Sequence, residues 1–161
     1  MVATRFAVAV HILMLLARRD SPSPETSQRI ARSVNTNPVV VRRITGLLAR
    51  AGLIRVRRGP GGAELLRPAA AISLGDIWQA VNPGRVRPLL PMHTSPDPAC
   101  PVGRHVHAVL GAAFESAEAA LQSSLAGISL ACLVGQLKGV DRPGEVEVAG
   151  AEAARVMGGQ H

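Results

Sequence analysis

The stretch Ala51-Gly52-Leu53-Ile54-Arg55-Val56-Arg57-Arg58-Gly59-Pro60-Gly61-Gly62 constrains the fold more than any other part of the chain. Gly52 is a natural helix stop, because glycine enters the left-handed backbone region without steric cost. Leu53 to Arg58 alternates roughly between apolar and basic side chains, as a half-exposed strand does. Gly59 to Gly62 turns the chain, Ala63 to Leu66 returns as a second strand, and Arg67-Pro68 closes the hairpin. Upstream, Asn37 caps a helix that begins at Pro38 and runs to about Arg50. Proline suits that first position because its missing N–H would have no partner there anyway. A helix bearing Arg42, Arg43 and Arg50, a glycine stop and a short basic hairpin, in that order, predict a helix-turn-helix with a β-wing.

The charge distribution points the same way. The net charge is +7, but residues 1–68 carry 12 Arg against 3 acidic residues, whereas residues 69–161 carry 6 basic against 8 acidic. A positive field confined to the part with the hairpin is the footprint of a nucleic-acid-binding module. Membrane insertion is not expected. The longest apolar run, Phe6 to Ala17, is broken by His11 and falls short of a bilayer span, and it lacks the cleavage site of a secretory signal. Two cysteines without a secretory signal argue against a disulfide framework. A bacterial cytoplasmic, nucleoid-associated protein is the expectation.

Aromatic residues make up only 2% of the chain, so the core must be aliphatic, which suits packed helices. Residues 4–18 read as a helix buried on most sides. Asp20 to Pro24 breaks it; Ser23 is expected to cap the next helix, with Pro24 at its first position and Glu25 in the first turn. Ile30, Ala31 and Val34 form that helix's inner face, and Asn35-Thr36-Asn37 is a turn. On the third helix, Val40 or Val41, Ile44, Leu47, Leu48 and Ala51 are expected inside, leaving Val39, Arg42, Arg43 and Thr45 on the surface. A short helix capped by Ser73 follows, packed through Leu74, Ile77, Trp78 and Val81, with Trp78 as a core anchor.

Six prolines in residues 83–101 forbid a helix or central strand and make an extended connector. A long helix from Pro101 to about Ala126 then carries an apolar stripe of Val106, Val109, Leu110, Ala113, Phe114, Ala117, Leu121 and Leu125. A second copy of the chain would cover that stripe. Ile128 to Leu137 reads as a short apolar helix or extension, and residues 138–161 as a poorly ordered tail. The expected class is mainly α with a small β-hairpin: a DNA-binding domain over 1–82, a connector over 83–100, a dimerisation helix with extension over 101–137, and the tail.

Four segments in this order resemble one family: Thr4-Arg5-Phe6-Ala7-Val8-Ala9-Val10-His11-Ile12-Leu13, Val34-Asn35-Thr36-Asn37-Pro38-Val39-Val40-Val41-Arg42-Arg43, the wing Arg58-Gly59-Pro60-Gly61-Gly62-Ala63, and Cys100-Pro101. Over about residues 2–135 the chain resembles the Rrf2 family of bacterial winged-helix transcription regulators. The resemblance implies a homodimer on a palindromic operator, usually a repressor, with the third helix in the major groove and the wing in the minor groove. It also implies that Asn37, Val39 and Arg42 occupy base-contacting positions, and that Arg58 and Pro60 occupy minor-groove positions. Cluster-binding branches of the family use three cysteines near the start of the long helix. Here that region holds only Cys100, and Cys132 lies far downstream, so the branch without a metal cluster fits better and no cofactor is expected. Another branch uses a first-helix histidine in a two-iron cluster; His11 has a comparable place, but its acidic companion is missing.

The residues carry their own chemistry beside the resemblance. The third helix is expected to offer N-terminal amides to phosphate, while Arg42 and Arg43 can reach phosphate or a guanine edge. Arg58 suits a narrow minor groove, Pro60 and Gly61 keep the turn tight, and Arg55 and Arg57 point outward toward phosphate. Arg5, Arg18 and Arg19 are open between phosphate contact and solvated charge. Two readings of Cys100 also stay open: a small residue at a helix start, or a sensor thiol activated by the helix dipole with Arg104 and His105 nearby. Cys132 is expected to be inert in its apolar run, and His11 to be a satisfied core residue. His105 and His107 lie on different sides of a helix and do not make a metal set with Cys100. No nucleophile elbow, phosphate loop or metalloprotease pattern is present. One rival to DNA regulation is a winged helix used only for protein contacts; a second is an enzyme, whose one foothold is a nucleophile at Cys100 without a base or oxyanion group.

Overall fold

The computed structural model describes residues 2–18, 24–57, 61–84 and 89–140. Its elements are α1 (Val2–Arg18), α2 (Ser27–Val34), α3 (Pro38–Arg50), β1 (Ile54–Val56), β2 (Ala63–Leu65), a 3₁₀ turn (Ala69–Ala71), α4 (Leu74–Val81), α5 (Pro101–Ala126) and α6 (Leu130–Val140). The two strands form one antiparallel hairpin. No helix among the described residues is long and apolar enough to cross a membrane.

One core joins the helices to the hairpin. Ile12 and Leu13 of α1, Ile30 of α2, Val41 and Leu48 of α3, and Ile77 and Val81 of α4 are all buried in it. Burying a side chain of this size stabilises the fold by about 1.5–3 kcal/mol. Trp78 is a shoulder of this core rather than its anchor. It is half-buried and meets Phe6 edge-on, with ring centroids 5.2 Å apart. His11, expected inside, is exposed, and its Nε2 lies 3.2 Å from Ser33 Oγ, linking α1 to α2.

Ser23 lies outside the described residues, and α2 starts later than expected. Thr26 is its cap, accepting from the amide of Arg29 at 3.3 Å. Pro24 and Glu25 precede the helix because the backbone at Glu25 is engaged elsewhere: its carbonyl accepts from the amide of Ala63 at 3.1 Å. Asn35 ends α2 in the left-handed region, at φ 53°. Gly52 does the same after α3, at φ 70°, while Leu53 N bonds Leu48 O and Gly52 N bonds Ala49 O. This paired closure is the Schellman arrangement that ends many helices. At Ser73 the hydroxyl accepts from Asp76 N while the Asp76 carboxylate accepts from Ser73 N, a complete capping box for α4.

Two features of the second half go beyond the expectation. First, of the two readings of residues 128–137, a short helix or an extension, the structure has the helix, and residues 138–140 belong to it as well. Leu130 is fully buried in the common core, and α6 packs on α1 and the 3₁₀ turn. The remainder of the expected tail, residues 141–161, lies outside the described residues. Second, the connector runs antiparallel along α5. Glu118 accepts hydrogen bonds from the amides of Leu89 and Leu90, Met92 lies by Gly111, the His93 carbonyl sits 2.9 Å from His107 Nε2, and Asp97 lies by Gly103. Gly103 permits that approach, because a Cβ there would collide with the Asp97 carbonyl.

Candidate nucleic-acid interface

The second helix of the helix-turn-helix is α3, and its exposed face follows from its start. Asn37 Oδ1 accepts from the amide of Val39 at 2.8 Å, and Pro38 takes the first helical position. This fixes the register in which Val41, Ile44, Thr45 and Leu48 turn inward. Val39 is 62% exposed and Val40 42%, and Arg42 and Arg43 are exposed beside them. Of the two candidates for the inner position, the core therefore takes Val41. Two expectations are corrected here. Thr45 is buried, its hydroxyl donating to the Arg42 carbonyl at 3.1 Å, which satisfies the polar group inside the helix. Ala51 is exposed, because the closure at Gly52 lifts it out of the helical face.

The amides at the start of α3 are also not available to phosphate. Pro38 has none, Val39 gives its amide to the Asn37 side chain, and Val40 and Val41 bond the Asn37 carbonyl at 2.9 and 3.2 Å. Any contact from this helix end must come through side chains. Asn37 keeps its side-chain NH₂ for that purpose, its oxygen being engaged in the cap. Arg42 Nε donates to the Pro38 carbonyl at 3.3 Å, so its side chain lies along the first turn. Beside α3, a shallow cleft of about 600 Å³ is lined by Gln28, Ala31, Arg32, Asn35, Thr36 and Pro38. Arg29 and Arg32 of α2, both exposed, extend the basic surface, although hydrophobic periodicity alone did not single them out.

The wing pairs Ile54 with Leu65, Arg55 with Glu64 and Val56 with Ala63. Ile54 is buried, whereas Val56 is half exposed, since the hairpin projects beyond the core at that end. Gly62 lies at φ 64°, and a Cβ there would come within 2.8 Å of the Glu25 carbonyl oxygen, so the backbones meet only because the side chain is absent. Gly61 sits against the stem of Arg57. Arg58 and Pro60 lie outside the described residues. Arg55 and Arg57 do point outward, but toward a partner in their own chain. Arg57 Nη2 is 3.0 Å and Arg55 Nη1 3.7 Å from Glu64 Oε1.

Cys100 stands at the start of α5, exposed, and the amides of Gly103 and Val102 hold its thiol pKa below the ordinary value. The expected helpers are placed differently: Arg104 Nε donates to the Pro98 carbonyl at 3.3 Å. Cys132, in its apolar run, is exposed, with Gln136 Nε2 4.0 Å from its sulfur. His107 pairs with His93, ring centroids 5.3 Å apart, and not with His105. Among the described residues no three His, Cys, Asp or Glu side chains are grouped to hold a metal ion.

The expected apolar stripe of α5 divides, with Val109 and Ala113 exposed. Val106, Leu110, Phe114 and Leu125 are half-buried, whereas Ala117 and Leu121 are exposed. Along the open side run Val102, 70% exposed, Val109, 68% exposed, Ala113, Ala117 and Leu121. No residue of α5 is fully buried within the single chain.

Comparison with known proteins agrees with this architecture. The Rrf2 family, described as iron-dependent transcriptional regulators, matches residues 2–136. The chain is 42% identical over 130 residues to YwnA of Bacillus subtilis strain 168, assigned as an HTH-type transcriptional regulator; the match covers 81% of this chain and 94% of that protein. A solved structure assigned as a DNA-binding protein superposes with a TM-score of 0.63 at 39% identity, covering 80% of this chain and 97% of the other. IscR of T. potens shares the fold, with a TM-score of 0.63 at 19% identity, over 88% of this chain and 90% of that one. The family's description names iron; in this chain the two cysteines are both exposed and His11 is hydrogen-bonded to Ser33. The comparisons and the winged helix-turn-helix geometry place this chain in the Rrf2 family of DNA-binding transcriptional regulators.

Proposed function

We propose that the protein works as a homodimer that binds a palindromic operator and represses transcription from it. The observation that carries this is the exposed face of α3, where Val39, Val40, Arg42 and Arg43 stand together beside a basic wing. Valine side chains suit thymine methyl groups, and arginine suits phosphate or the guanine edge. Asn37 adds its side-chain NH₂ at the same end of the helix. Arg58, Pro60 and Gly61 supply the minor-groove side, with the Arg58 and Pro60 roles resting on family resemblance, and Arg57 reaches phosphate beside them. Dimerisation through α5 would cover Val102, Val109, Ala113, Ala117 and Leu121, which one chain leaves open. Two copies would then present their α3 helices about one helical turn of DNA apart.

Fluorescence anisotropy with labelled duplex across a salt series, run beside sedimentation analysis, tests this. A dimer whose affinity falls steeply with salt is expected, since each neutralised phosphate steepens the dependence. A dimer indifferent to DNA at low salt would instead indicate the protein-contact module.

A second element of the proposal is response to a thiol-reactive signal at Cys100. The lowered pKa of that exposed thiol favours it. Oxidation or alkylation there would disturb the junction of the connector with α5. Operator affinity measured before and after alkylation checks it, with Cys100→Ser expected to abolish the difference.

A further inference from the structure

Phosphate contact has no use for a carboxylate on the wing, yet Glu64 stands there between two arginines. It is the cross-strand partner of Arg55 in β2. Positions 55 and 57 lie on the same face of the hairpin, because strand side chains alternate. Glu64 Oε1 is 3.0 Å from Arg57 Nη2 and 3.7 Å from Arg55 Nη1. Two further features fix Arg57: its amide donates to the Gly62 carbonyl at 2.9 Å, and Gly61 packs on its stem so closely that a Cβ there would come within 2.6 Å of the Arg57 Cβ. Both arginine side chains remain 59% exposed, against 30% for Glu64. The pairs are therefore ordered but weak and screened by salt, the kind a phosphate can displace.

We infer that Glu64 is a positioning residue that competes with DNA phosphate for Arg55 and Arg57 and so restrains the sequence-independent grip of the wing. The inference rests on the DNA-binding function proposed above. Phosphate contacts supply affinity for any duplex, while base-edge contacts supply the choice of site. A carboxylate that taxes only the former raises the ratio of operator to random binding without touching α3.

The test compares wild type, Glu64→Gln and Glu64→Ala for binding to random-sequence duplex over a salt series. Both variants should bind about fivefold tighter at low salt, the worth of one unit-charge contact in water. The log–log salt slope should steepen by roughly 0.9 for each added phosphate contact. In an Arg55→Gln/Arg57→Gln background the same change at Glu64 should have no effect, which a merely structural role for Glu64 would not produce. Thermal melts establish that each variant is folded. Wild-type binding with unchanged or weaker binding by both Glu64 variants overturns the inference alone. Wild type that ignores every duplex removes the DNA-binding function and the inference together.

Discussion

The amide of Leu130 donates to the carbonyl of Ile72 across 2.8 Å, and one turn of chain away the amide of Leu74 donates to the carbonyl of Ile128 at the same distance. These bonds tie the end of α5 to the start of α4. The long helix is thus fastened at its C-terminal end to the domain that carries α3, and strapped along its length by the connector. In the dimer proposed above, a change in how two α5 helices pack would be passed to α3 through a junction with two backbone hydrogen bonds and the buried Leu130.

Leu130→Ala should lower stability by about 2–5 kcal/mol, the range for emptying a core leucine site. Leu130 is fully buried, so the site has no access to water that could soften the loss. Urea unfolding followed by circular dichroism measures it. A loss below about 1 kcal/mol, the level of a substitution outside the core, would mean that α6 does not dock as described.

Gly62→Ala should destabilise the wing. The substitution forces an L side chain into φ 64° and drives its Cβ toward the Glu25 carbonyl. Backbone strain of this kind costs about 1–3 kcal/mol. Hydrogen exchange at the Ala63 amide, which bonds Glu25, should accelerate while core amides of α1 stay protected. Unaltered exchange at Ala63 would contradict the close approach.

Arg42→Ala should weaken operator binding by about 1–3 kcal/mol with little change in melting temperature. Arg42 is exposed and bonds only within its own helix turn among the described contacts, so the fold has little to lose. Equal affinities of wild type and variant for the selected operator would remove Arg42 from the interface.

Alkylation of Cys100 by iodoacetamide, measured in a Cys132→Ser background, should titrate below the ordinary thiol range. The sign follows from the amides of Gly103 and Val102, which stabilise the thiolate in the fold. A depressed pKa means that thiolate, and hence alkylation, persists to lower pH in the native protein. Unfolding in urea removes the amides and should move the midpoint up. Coincident native and unfolded midpoints would show that the helix start does not activate the thiol.

Much of this architecture was written in local chemistry. Asn37-Pro38 marked the start of α3 and Cys100-Pro101 that of α5, because caps and first-turn prolines act through neighbours in sequence. The pairing of the two hairpin strands was legible for the same reason. Properties set by distant partners were not. Glu25 pairs with Ala63 across the fold, and this shortened α2 at a place where Ser23-Pro24 offered an equally good local start. Whether α6 extends α5 or returns to the core depends on Leu130 meeting Ile72, which no helical period encodes. The α5 stripe split because Glu118 draws the connector onto one side of it. At the candidate interface, Arg42 and Arg43 were visible as exposed cations on a helix, but the pairing of Arg55 and Arg57 with Glu64 needed strand register.

Selection of bound duplexes from a random pool by the purified full chain tests the central claim most directly. The account predicts enrichment of one sequence with two-fold symmetry, its half-sites about one helical turn apart, and loss of that enrichment with Arg42→Ala. A pool that stays random after repeated rounds at low salt would contradict it.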